Sequence, residues 1–325
     1  MKRSIAALLL CLWSLAGFSQ DSSNYPSRQV RVLVGYPPGG GMDTIARVVM
    51  PKLAESLGQP FVIENRPGAS GGVAAEALVK SSPDGYVLMV AESGTLALPA
   101  VSPKVSLDPV RQFAPVGGIC TLPMAFVVNA EAPFRSTQEM IVALKSNPGK
   151  YSYGSPGIGT LQHLAFEQFR RAAGAPGAPI EALHVPYKGA AAMMPDLMGG
   201  QVQIAVISAL AAQGPSRSGK IRTLAVTSLQ RLPNSPELPT MAETLPGFNA
   251  APSVFLVAPA GTPAAVVQRL SSALRAALAS RDVEENFVKQ GATAAPGTPQ
   301  ELGTLIAEET RRWAAVVKDA GIKVE

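Results

Sequence analysis

Val32-Leu33-Val34-Gly35-Tyr36-Pro37-Pro38-Gly39-Gly40-Gly41-Met42-Asp43 decides how this chain reads, because a buried strand passes through a glycine turn into a helix. That helix opens with Thr44-Ile45-Ala46-Arg47. The arrangement returns at Tyr151-Ser152-Tyr153-Gly154-Ser155-Pro156-Gly157-Ile158-Gly159-Thr160, which leads into Leu161-Gln162-His163-Leu164. Glycine lets backbone approach a ligand closely, and a helix start offers N–H groups with no partner inside the helix. Such a start attracts a carboxylate or a phosphate. Two of these turns, far apart in sequence, predict two lobes that face one small anion.

Working outward, strand-like and helix-like segments alternate from residue 29 to about residue 230. Residues 29–35 read as a buried strand and 44–57 as a helix with Ile45, Val48, Val49, Leu53 and Leu57 on one face, ended by Gly58. Strands follow at 61–63, 86–90, 124–128, 151–153, 182–185, 204–207 and 224–227. Helices are expected at 72–80 and near 160–173, 189–198 and 209–217, with Ser136-Thr137-Gln138-Glu139 capping another that runs to Asn147. Short βα repeats imply mostly parallel sheets covered on both faces. The proline-rich stretch 230–252 reads as a long surface connection. One more strand at 253–258 precedes a helix to Leu278, and Thr298-Pro299-Gln300-Glu301 opens a last helix through Lys318.

Composition bounds the function. The chain has 325 residues, of which 47% are apolar and 16% charged, as in a globular protein with a sizeable core. Lys2 and Arg3, the apolar run 5–16 and small residues at Gly17 and Ser19 form a signal peptide cleaved before Gln20. Leu8-Leu9-Leu10 before Cys11 lacks the small residues of lipoprotein processing. Removing Lys2 and Arg3 takes the formal charge from +5 to 5 − 2 = +3, too mild for nucleic acid. Cys120 is then a lone cysteine, expected as buried filler, so the core and not a disulfide holds the fold.

Several residues carry candidate chemistry. The loop Tyr36, Pro38, Gly39, Gly40, Gly41 is a ligand loop, and Asp43 either caps the helix or contacts ligand. No Gly-Lys-Ser/Thr follows, which excludes a Walker loop, and the dinucleotide pattern is not met. Gly68-Ala69-Ser70-Gly71-Gly72 matches the nucleophile elbow of α/β-hydrolases, but Glu64-Asn65-Arg66-Pro67 separates it from the strand before. Ser70 with His163 or His184 would be the machinery of a secreted hydrolase, the competing reading. The two histidines lack the spacing of a metal site, and no cofactor is expected. Ser93, Gly94 and Thr95 follow a strand and belong to the same class of loop. So do Tyr187, Lys188 and Gly189, where Lys188 either attracts an anion or is solvated.

At this point the chain resembles the Bug-type family of periplasmic solute-binding proteins, the receptors of tripartite tricarboxylate transporters. The resemblance runs from about Tyr25 to the C-terminus. It is carried by Pro37-Pro38-Gly39-Gly40-Gly41-Met42-Asp43 with Arg47, Glu64-Asn65-Arg66-Pro67-Gly68-Ala69, Asp84-Gly85-Tyr86 and the second glycine turn with His163. His184-Val185-Pro186-Tyr187-Lys188-Gly189, Leu197-Met198-Gly199-Gly200-Gln201-Val202, Pro239-Thr240 with Glu243, and Ala258-Pro259-Ala260-Gly261-Thr262-Pro263 follow in order.

The resemblance implies an α/β fold of two lobes, a type II-like Venus flytrap. Residues 1–19 would be the signal peptide, 20–123 and 253–325 the first lobe, and 124–252 the second. It implies a periplasmic, monomeric receptor, not an enzyme, that passes a small organic carboxylate to membrane permease subunits, or alternatively reports it to a sensor kinase. Ligand contacts would come from the loops above, including Ser155, Gly157, Ile158, Gly159, Thr160 and Ser208. Where relatives carry an acidic residue and a polar pair, this chain has Gln203 and then Ile207-Ser208. An aromatic or branched monocarboxylate is therefore expected over citrate or aspartate.

Overall fold

The computed structural model describes residues 24–102 and 104–322, so the expected signal peptide and Cys11 lie outside the described residues. The chain begins with β1 (Val30–Val34), α1 (Gly41–Leu57), β2 (Phe61–Asn65), α2 (Gly72–Val79), β3 (Val87–Glu92), α3 (Ser93–Val101), α4 (Pro109–Gln112) and β4 (Phe113–Thr121). It crosses into β5 (Met124–Asn129), α5 (Thr137–Ser146), β6 (Ser152–Ser155), α6 (Leu161–Ala173), β7 (Leu183–Pro186), α7 (Ala190–Met198), β8 (Ile204–Ser208), α8 (Ala209–Arg217) and β9 (Ile221–Val226). After α9 (Met241–Thr244) it returns through β10 (Ser253–Pro259), α10 (Ala264–Leu278), α11 (Arg281–Lys289), β11 (Thr293–Ala294) and α12 (Pro299–Ala320).

These strands build two sheets, one per lobe, in the orders β11-β4-β10-β3-β1-β2 and β7-β6-β8-β5-β9. The sheets are mixed, which corrects the expectation of mostly parallel ones. β1 is parallel to β2 and β3, and β6 to β7 and β8, as the βα repeats require. β10 instead runs antiparallel to β3 and β4, and β5 antiparallel to β8 and β9. The reason is connectivity: β5 and β10 enter straight from the other lobe, without the crossover helix that a parallel neighbour needs.

Alternation along the strands places two cores on the first sheet. Val30, Val32, Val34, Leu88, Val90 and Leu256 face α1 and α10, whereas Leu33, Met89, Ala91, Phe255 and Val257 face Leu78 of α2 and Leu302 and Ile306 of α12. In the second sheet Phe126, Val128, Ile204 and Val206 pack on Leu164, Phe166 and Phe169 of α6. Ala125, Val127, Ala205 and Ile207 pack on Met193 and Leu197 of α7. Cys120 is buried in the first core, and desolvation raises its thiol well above the ordinary range.

Local signals explain most boundaries. Gly58 takes the left-handed conformation at the end of α1 and donates to the Ala54 carbonyl. Thr298 and Glu301 form a full capping box on α12. At α5, Ser136 caps Glu139, but the Glu139 carboxylate accepts from Arg135 N–H, so only half of the expected box forms. The stretch 230–252 is more than a surface connection, since Thr240 and Glu243 cap α9 and Phe248 and Ala250 are buried.

Two pieces of chain cross between the lobes side by side. Leu122 N–H donates to the Pro252 carbonyl and Thr227 N–H to the Met124 carbonyl, while Met124 N–H donates to Thr227 Oγ1. α12 is a third link. Its Leu302 and Ile306 pack in the first lobe, and its Trp313, Val316 and Val317 pack in the core of the second.

Candidate functional site: a cleft of helix starts

Between the lobes lies a cavity of about 610 Å³. Gly40, Glu92, Thr160 and Ser208 all line it, and each is the N-cap of a helix: α1, α3, α6 and α8. Two helix starts therefore come from each lobe. Only at Thr160 does the cap side chain accept from its own helix. The first turns of the other three keep N–H groups that neither an intrahelical carbonyl nor a cap side chain takes up.

The first glycine loop is held by Asp43. One carboxylate oxygen accepts from Gly39 N–H and Arg47 Nε, both at 2.8 Å, and the other accepts from Asn65 Nδ2 at 2.8 Å. These bonds, led by that from Arg47, hold the Asp43 carboxyl down at about 2. Asn65 also donates to the Tyr36 carbonyl, so β2 and α1 clasp the loop together. Asp43 is buried, sits beyond the N-cap and lines no part of the cavity. It is neither the cap nor a wall residue; it fixes Gly39, whose φ of 78° suits glycine.

Glu92 ends β3 at the cavity wall. Its Oε1 accepts from the Tyr36 hydroxyl, and burial pushes the carboxyl up to about 7. A Cβ at Gly94 would lie 2.7 Å from that Oε1, so glycine there makes room for the pair. Ser93 and Thr95 are fully buried and outside the cavity lining: Ser93 Oγ accepts from Ser253 N–H and Thr95 Oγ1 donates to the Ser70 carbonyl. The expected loop at 93–95 is in fact the first turn of α3.

In the second lobe, the polar side chains of the glycine turn are spent on one another. Ser155 Oγ and His184 Nε2 are 2.7 Å apart, and His163 Nδ1 accepts from Gly159 N–H. The two imidazoles stack at 4.0 Å, with Tyr153 stacked on His184 at 4.7 Å and on Phe166 at 3.8 Å. An Nδ1 that accepts is unprotonated, and burial holds His163 neutral down to about 3. Thr160 donates to the Gly157 carbonyl, closing the turn below Ile158. Tyr187 donates to Asp196, Lys188 is exposed, and Gly189 is the N-cap of α7.

Of the expected residues, the cavity thus brings together Tyr36, Gly39, Gly40, Gly41, Gly94, Thr160 and Ser208. Pro38, Asp43, Ser93, Thr95, Ser155, Gly157, Ile158, Gly159, His163, Tyr187, Lys188 and Gly189 lie outside its lining. Sequence reasoning missed Glu92, Gln162 and Gln290 and an apolar wall of Leu122, Met124, Leu161, Leu210 and Pro252. Ile207, expected in that wall, is buried against α7, and Gln203 bonds Ser152 at the opposite end of β8. The apolar wall joins the crossover residues Leu122, Met124 and Pro252 to Leu161 and Leu210 of the first turns of α6 and α8, a meeting that no local pattern announces.

Ser70 lines the cavity in a short turn with φ near 49°, where both histidines are already bonded elsewhere. The glycines around it serve packing: a Cβ at Gly35 would run into the Gly71 backbone, and one at Gly71 would lie 2.8 Å from Thr95 Oγ1. Among the described residues no group of three His, Cys, Asp or Glu could hold a metal ion.

Comparison with known proteins finds relatives along almost the whole chain. Residues 45–322 match the model of the tripartite tricarboxylate transporter family receptor. The chain is 35% identical to protein BugT of Bordetella pertussis over 309 residues, 94% of this chain and 93% of that one. The structure of periplasmic binding protein BugD superposes with a TM-score of 0.73 at 32% identity, covering 92% of this chain and 100% of that one. A protein of R. palustris solved with adipate gives 0.76 at 34%, with the same coverage.

Proposed function

The chain belongs to the tripartite tricarboxylate transporter receptor family and is a solute-binding protein, not an enzyme; we propose from that premise that its solute is a small organic carboxylate with an apolar body. The observation that carries this reading is the convergence of four helix N-caps on one cavity. A helix start favours an anion by about 0.3–1 kcal/mol, and more when water is excluded. Starts from both lobes would hold one carboxylate more tightly in the closed state than either lobe alone, which drives hinge closure. Tyr36, Gly39, Gly40, Gly41, Gly94, Thr160 and Ser208 would provide the polar contacts. Leu122, Met124 and Leu161 would take the apolar body, which favours a monocarboxylate or a long dicarboxylate over citrate. The adipate found in the R. palustris relative fits that class.

The same family membership supports a periplasmic monomer that hands its solute to permease subunits. No helix of the described residues is long and apolar enough to cross a membrane. A thermal-shift screen with adipate, malate, benzoate, branched monocarboxylates, citrate and aspartate tests the reading. Ligand that binds only the native state raises the melting temperature, so adipate or a monocarboxylate is expected to raise it most. A citrate shift larger than any of these, or no shift from any carboxylate, overturns it.

A further inference from the structure

Glu92 is the anomaly of this cleft. Most other partly or wholly buried acids are matched by a cation: Asp43 by Arg47, Glu64 by Arg31 and Arg66, Glu167 by Arg170, and Glu309 by Arg312; Asp196, which accepts from the Tyr187 hydroxyl, lies outside the cleft. Among the described residues the cavity lining holds no Lys, Arg or His, and its ionisable members are Glu92 and Tyr36. An acid thus stands unmatched by any cation in a cleft whose four helix starts favour an anion. An ionised Glu92 would repel that anion, whereas a neutral one offers it a hydrogen bond.

Resting on the carboxylate reading above, we propose that Glu92 is the residue that sets specificity in this cleft, working in its neutral form and donating its carboxyl proton to an anionic oxygen of the solute. Oε1 is taken by the Tyr36 hydroxyl, so the proton sits on Oε2. Anion capture then draws onto Glu92 the part of one proton that the free carboxyl lacks at the working pH, nearly a whole one above about pH 8, and the bound state carries it. Carboxylates whose contact oxygen is an anion are selected, and solutes that place an ammonium beside Glu92 are not.

The surroundings agree. Tyr36 faces Glu92 from the loop after β1, and burial together with the carboxyl keeps that phenol protonated as the donor. From α12 comes Glu309, paired with Arg312 and bonded by the Ser253 hydroxyl, and its charge also disfavours an ionised Glu92. β10 contributes Val254 as the register partner, which brings no charge. The carboxyl already lies near about 7 before any anion enters.

Calorimetric titration of adipate into the whole protein, in buffers of different ionisation enthalpy, reads the proton directly. With the free carboxyl near about 7, uptake rises from about a tenth of a proton per adipate at about pH 6 to nearly one at about pH 8.5, and affinity falls about thirtyfold over that range. The Glu92→Gln variant, which keeps a donor but cannot ionise, should change less than about threefold over that range and bind tighter than wild type at the upper pH. Tyr36→Phe removes a bond that favours the ionised carboxyl, so it should move the fall in affinity to higher pH. Adipate binding without proton uptake at about pH 8.5, or E92Q losing adipate at both pH values while melting like wild type, overturns the inference and leaves the carboxylate reading intact. Failure of adipate, malate and benzoate alike to bind wild type overturns both.

Discussion

Asp43 shows what a single carboxylate contributes before any solute is present. Its three hydrogen bonds tie Gly39, Arg47 and Asn65 together, so the loop that lines the cleft is set in advance. The folded-state pKa of about 2 lies below the ordinary 3.8. A depressed carboxyl stabilises the fold fully above the unfolded value and loses that contribution as pH falls through the folded one. Asp43→Asn should therefore cost about 1–3 kcal/mol in urea unfolding at neutral pH, and the difference from wild type should shrink as pH approaches about 2. An unchanged unfolding midpoint at neutral pH would remove Asp43 from this role. The sequence narrowed Asp43 to cap or contact and missed the answer, because Asn65 reaches it from another strand.

Among the elements, legibility followed the strength of local chemistry. α1, α6, α8, α10 and α12 were readable from apolar spacing and end residues. α3 was not: it starts at Glu92 without a side-chain cap, carries Gly94 in its first turn and holds Pro99 inside. β4 was hidden by Pro115, Gly117 and Gly118. Gly118 is there because a Cβ would run into the Ala295 carbonyl, a contact between distant segments. The stack of β6, β7 and α6 makes its own prediction. His163 is neutral in the fold down to about 3, against an ordinary 6.5, so the unfolded chain binds the extra proton between those values. Stability from this group is complete above about 6.5 and declines as pH falls, by about 1.4 kcal/mol per pH unit at most. Thermal melts from neutral to acid pH should show the decline, and His163→Gln should flatten it. An equal slope in the variant would assign the acid lability elsewhere.

For the molecule as a whole, the three links between lobes divide rigidity from motion. The crossover segments hold each other through Leu122, Pro252, Met124 and Thr227 at the floor of the cleft. α12 packs Leu302 and Ile306 on one lobe and Trp313 on the other, so hinge motion must pass through this helix and the crossovers. Two lobes were legible from paired glycine turns; the cleft was not, because it is lined by residues from both lobes and from the crossovers. The account rests on four helix starts holding one carboxylate between lobes. A crystal structure of the protein with the carboxylate that raises its melting temperature most tests this directly. The predicted result is a carboxylate group within hydrogen-bond distance of backbone N–H groups in the first turns of helices from both lobes, with Glu92 beside it. A carboxylate bound outside this cleft, or gripped by lysine or arginine side chains, would contradict it.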